Sequence, residues 1–78
     1  MKIEVKLVGR LKKYGQDKLD EENLLELDDK ATVSDLIDLL GIPPEQNKVV
    51  LVNGRDVKQD YQLSAGDRVS IYNLLAGG

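Results

Sequence analysis

The chain has 78 residues, with 11 Lys+Arg against 14 Asp+Glu and a formal net charge of −3. That balance provides no basic stripe to displace counterions from phosphates, so nucleic acid is not expected as a partner. Neither Cys nor His occurs, which removes disulfides, thiolate metal sites, thiol nucleophiles and the imidazole general base. At this length a single domain with a small core is expected. No apolar run is long enough to span a bilayer and no leader segment is recognised. A cytoplasmic protein, monomeric on its own, is the expectation.

Residues 2–8, "KIEVKLV", alternate Ile3, Val5 and Leu7 with Lys2, Glu4 and Lys6, the period-two pattern of a half-buried strand. "GRLKKYGQDK" follows, where Gly9 and Gly15 bracket a helical turn that sets Leu11 and Tyr14 three apart. The basic cluster Arg10, Lys12 and Lys13 in it reads as a solvated loop, or else as a docking point for an acidic surface. "NLLELDD" supplies a second strand with Leu25 and Leu27 inward, after a solvated acidic run at Asp20, Glu21 and Glu22.

"ATVSDLIDLLGIPP" carries the best-marked helix. Thr32 is placed to cap it, with Asp35 as the capping-box partner near the positive helix end. Val33, Leu36, Ile37 and Leu40 fall on one face, Gly41 suits the left-handed position that ends a helix, and Pro43-Pro44 forbid continuation. "KVVLVNGRDV" reads as a strand, an Asn53-Gly54 turn and a short return, a strong hairpin signal. "LSAGD" is a further turn. "RVSIYNLL" is a last strand with Val69 and Ile71 inward and Arg68, Ser70 and Tyr72 outward. The order predicts an α+β fold, a mixed sheet of four or five strands with one helix packed across it. The last strand is expected beside the first, in the sheet centre.

Side-chain chemistry is sparse. Asp35 and Asp38 share a helix face, and Asp28, Asp29, Asp56 and Asp60 lie in or near turns, but there is no calcium-loop spacing and no metal site is expected. Ser34, Ser64 and Ser70 have no His to activate them. "NGRD" lacks the glycine pattern of a phosphate loop. The tyrosines read as packing residues, Tyr72 excepted. An enzyme is not expected.

What remains is the segment Leu74-Leu75-Ala76-Gly77-Gly78. Its last residues have little or no side chain and tolerate dihedrals closed to others. They could thread a narrow slot and present the Gly78 carboxylate to attack from either side. Five residues beyond Asn73 reach at most about 17 Å. Ordering them costs roughly 1–2 kcal/mol per residue, which apolar docking by the body would offset. The chain therefore divides into a domain at 1–73 and an expected flexible tail at 74–78.

The element order, the "VNGRDV" hairpin, the "AGDRVSI" turn into the last strand and the terminal "LLAGG" resemble the ubiquitin-like β-grasp sulfur carriers, the ThiS and MoaD proteins of thiamine and molybdopterin synthesis. The resemblance covers the whole chain and is strongest over residues 63–78. It implies that an E1-like enzyme adenylates Gly78 with ATP and that sulfur from a persulfide donor displaces AMP. A downstream synthase would then draw on the resulting thiocarboxylate. No cofactor would be bound by the carrier itself; ATP would be used by the activating partner. Gly77, Ala76 and Leu75 would form the threading tail. Tyr72 and Leu74 stand where the family carries contact residues, and Val8 and Leu51 could extend the docking patch.

"LLAGG" is similar to the thiamine-carrier end, whereas the longer first connection is closer to the molybdopterin type. The acceptor is left undecided, with thiolation of a tRNA base also open. A ubiquitin-like modifier joined to lysine through Gly78 is the alternative, and a plain β-grasp binding module the second.

Overall fold

A computed structural model describes residues 1–43 and 48–73. The elements in chain order are β1 (Lys2–Val8), a 3-10 helix (Gly9–Gly15), β2 (Leu24–Glu26), α1 (Val33–Leu40), β3 (Lys48–Val52), β4 (Arg55–Asp56) and β5 (Arg68–Asn73). The strands form one sheet in the order β2-β1-β5-β3-β4. β1 and β5 run parallel, from Glu4 opposite Arg68 to Val8 opposite Tyr72, while the other pairs are antiparallel. The expected mixed sheet is therefore present, with the last strand beside the first.

Alternation decides which face of the sheet is covered. Ile3, Val5 and Leu7 of β1, Val50 and Val52 of β3, and Val69 and Ile71 of β5 are all buried on one side. Against them pack Val33, Leu36, Ile37 and Leu40, the apolar face of α1, together with Leu11 from the 3-10 helix and Leu63. Fully burying each such side chain contributes about 1.5–3 kcal/mol, so two turns of helix suffice to seal a small core.

Both ends of α1 are fixed locally. Asp35 N donates to Thr32 Oγ1 at 3.2 Å and Thr32 N donates to Asp35 Oδ2 at 2.9 Å, a complete capping box. Val33 N and Ser34 N, which have no intrahelical acceptor, donate to the carbonyls of Tyr61 and Gln59. At the other end Gly41 takes φ 76°, and Ile42 N reaches back to the Ile37 carbonyl. That closure seats Ile42 in the core.

The β3–β4 hairpin turns on Asn53 and Gly54, both at positive φ, the backbone that a tight two-residue hairpin turn of this hand requires. Two expectations are refined. The expected helical turn between Gly9 and Gly15 is a 3-10 helix, anchored by buried Leu11, while the cations Arg10, Lys12 and Lys13 that it carries stay exposed. Tyr61 is 40% exposed and stays outside the core cluster; its carbonyl accepts from Val33 N at the start of α1. At the start of β1 the Met1 ammonium meets Glu26 Oε2 at 2.8 Å. The hydrogen bond to Glu26 raises its pKa above 8.0, against an opposing contribution from desolvation, with Asp29 adding in the same sense.

Candidate functional site: the open face of the sheet

With the helix on one side, the other side of the sheet has no covering layer among the described residues. Side chains opposite each other in register share a face, so the face can be read in rows. Val8, Tyr72 and Val49 form one row across β1, β5 and β3. The next row runs Lys6, Ser70, Leu51 and Asp56. Below it lie Leu24, Glu4 and Arg68, the last two joined by an ion pair at 3.2 Å.

Tyr72 is 37% exposed, and Val8, Val49 and Leu51 are half-buried. Of the residues expected to dock a partner, Tyr72, Leu51 and Val8 are thus brought onto one surface. Val49 was missed, although it shares the parity of Leu51 and the same alternation would have found it. A shallow concavity of about 550 Å³ lies on this face, lined by Leu51, Asn53, Gly54, Gly66, Arg68, Ser70 and Tyr72.

Beside it a polar link joins two turns. Asp67, 8% exposed, accepts from Asn53 Nδ2 at 3.0 Å and from Ser64 N at 2.8 Å. Asn53 Oδ1 in turn accepts from Arg68 N at 3.0 Å. The link fixes where β5 begins, and β5 then runs through the middle of the sheet to Asn73 beside Lys48. Leu74, Leu75, Ala76, Gly77 and Gly78 lie outside the described residues. Asn73, at the end of β5, thus directly follows the Val8–Tyr72–Val49 row.

Among the described residues there is no group of three or more Asp, Glu, His or Cys placed to hold a metal, and no helix is long and apolar enough to cross a membrane. The face offers contact area and hydrogen bonds; the side chains on it include no nucleophile paired with a base.

This architecture defines the ubiquitin-like β-grasp class. It is similar to SAMP1 from Haloferax volcanii, with a TM-score of 0.72 and 23% identity over 100% of both chains. A putative molybdopterin converting factor, subunit 1, from Pyrococcus furiosus gives a TM-score of 0.74 and 26% identity, over 96% of this chain and 99% of that one. A second H. volcanii structure, of small archaeal modifier protein 1, gives 0.70 and 21% over 95% and 98%. No curated protein sequence matches the chain. The model of the ThiS family matches residues 5–78, and the chain belongs to that family.

Proposed function

We propose that the protein is a sulfur carrier whose Gly78 carboxylate is the working group. An E1-like enzyme joins that carboxylate to the AMP of ATP, releasing pyrophosphate. A persulfide sulfur then attacks the acyl carbon and expels AMP. A thiol cleaves the resulting acyl disulfide, leaving a thiocarboxylate on Gly78 and a disulfide on the donor. The thiocarboxylate passes its sulfur to a precursor of thiamine, molybdopterin or a related product held by a synthase. Carboxylate oxygen leaves poorly and AMP leaves well, so activation by the partner is what the chemistry needs. The absence of Cys and His is then no handicap, because the carrier is a co-substrate.

One observation carries this reading beyond family membership: the apolar row Val8–Tyr72–Val49 and the end of central strand β5 share one edge of the sheet. A partner that covers the row is positioned to receive residues 74–78. The same adenylate would also serve conjugation to a lysine, and the same body would suit it. The test is the intact mass of the protein isolated from its own cells without reducing agents. A gain equal to one oxygen replaced by sulfur, localised to Gly78 by fragmentation, is expected. Incubation with the E1-like enzyme, ATP and a persulfide donor that yields neither adenylate nor thiocarboxylate would refute the carrier. Gly78–lysine isopeptides in the lysate without thiocarboxylate would replace it by the modifier.

A further inference from the structure

The basic cluster of the 3-10 helix sits at a telling place. Val8 closes the apolar row opposite Tyr72, and the helix begins at the next residue. Its seven residues, "GRLKKYG", carry three cations and no acid in a chain whose net charge is −3. Leu11 anchors the helix in the core while Arg10, Lys12 and Lys13 remain exposed. Lys13 lies over its neighbour's ring, 5.2 Å from the Tyr14 centroid. Lys12 and Lys6 line one concavity of about 530 Å³ beside the open face. Among the described residues neither of them, nor Arg10, is within ion-pair distance of a carboxylate. Two acids line the same concavity, Asp20 and Glu21, but Asp20 Oδ1 already accepts from Glu22 N and Leu24 N at 2.9 Å each. Burying such cations against a partner without counter-charges is strongly unfavourable.

We propose that Lys6, Arg10 and Lys12 form a basic rim that pairs with carboxylates on the activating enzyme. The rim flanks the Val8–Tyr72–Val49 row on the β1 side and so fixes which way round the body docks. This rests on the carrier reading and names the chemistry of its first partner: an apolar seat bordered by acidic side chains. Rim charges act on encounter and orientation more than on the seated contact. They should therefore alter the KM for the carrier and leave the rate at saturation.

The test is ATP–pyrophosphate exchange by the E1-like enzyme of the same cells, with the full chain as substrate. Lys6→Glu, Arg10→Glu and Lys12→Glu are each expected to raise KM about two- to fivefold at low salt, and the triple reversal to raise it further. The penalty should shrink as salt is raised from about 0.01 M to 1 M. Neutral replacements by Gln should flatten the wild-type salt dependence, and Lys30→Glu, in the turn after β2, should change neither quantity. Circular dichroism confirms that each variant is folded, as the exposure of all three residues requires. A folded triple reversal with unchanged KM, or a loss confined to kcat, overturns the rim. Absence of exchange with wild-type protein overturns the carrier reading and the rim together, so the two failures are told apart by the wild-type result.

Discussion

Truncating Tyr72 to alanine should cost affinity for the activating enzyme while leaving the domain folded. A tyrosine covers about 150–250 Å² when fully buried. With 37% of Tyr72 still open, about 75 Å² remains for a partner to cover, contributing about 2 kcal/mol at about 25 cal/mol per Å². That corresponds to a Kd about 30-fold weaker. By the same arithmetic the roughly 125 Å² of Tyr72 that the domain already covers contributes at most about 3 kcal/mol to the fold. Cooperative melting of the variant is therefore verified before its affinity is read, while Val8 and Val49 still pair with β5 through the backbone. Isothermal titration of wild type, Tyr72→Ala and Tyr72→Phe separates the ring from the hydroxyl, and Tyr72→Phe should keep most of the affinity. A Tyr72→Ala protein that melts cooperatively and binds as tightly as wild type would show that the partner does not cover this row.

Leu36→Ala, at a fully buried position of α1, should destabilise the domain by about 2–5 kcal/mol, read from urea unfolding; a loss below about 1 kcal/mol would mean that the site collapses around the gap. Asp67→Ala removes the acceptor shared by Asn53 and Ser64 and should cost about 1–3 kcal/mol, with NMR shifts at Asn53 and Arg68. An unshifted spectrum there would dissociate the two turns. The Met1 ammonium has its pKa raised above 8.0 by Glu26, so the pairing stabilises the fold fully below pH 8 and is lost as pH rises through the raised value. Denaturant midpoints of wild type should therefore fall more steeply above pH 8 than those of Glu26→Gln; parallel curves would dismiss the linkage.

What the sequence made legible was whatever is decided within a few residues. Thr32 and Asp35 announce the capping box because both partners lie in one turn, and Gly41 ends the helix for a reason of its own backbone. Asn53-Gly54 names its turn in the same way. Ile3, Val5, Leu7, Val69 and Ile71 declare their face by parity alone. The places of Tyr72, Leu51 and Val8 on the open face follow from the same parity, and Val49 shares it. Less accessible was anything that depends on which segments meet. Asp67 reads as an ordinary turn acid until Asn53, 14 residues away, is brought against it. The cations of "GRLKKYG" look like loop solvation until Leu11 pins that segment beside Val8. Tyr61 passes for a packing residue because its use lies in its carbonyl. The chemistry assigned to Gly78 came from resemblance, and that residue lies beyond the described fold.

The parallel pairing of β1 with β5 has a consequence for how the molecule is made. The first strand cannot find its central neighbour until residues 68–73 have been synthesised, and the pairs that join the two strands lie 64 residues apart. Such long-range pairing slows folding and leaves any shortened product without the middle of its sheet. Chains broken off before Asn73 would lack part of the strand against which both halves of the sheet align, and would be open to proteolysis. The topology thus ties a complete sheet to synthesis through Asn73.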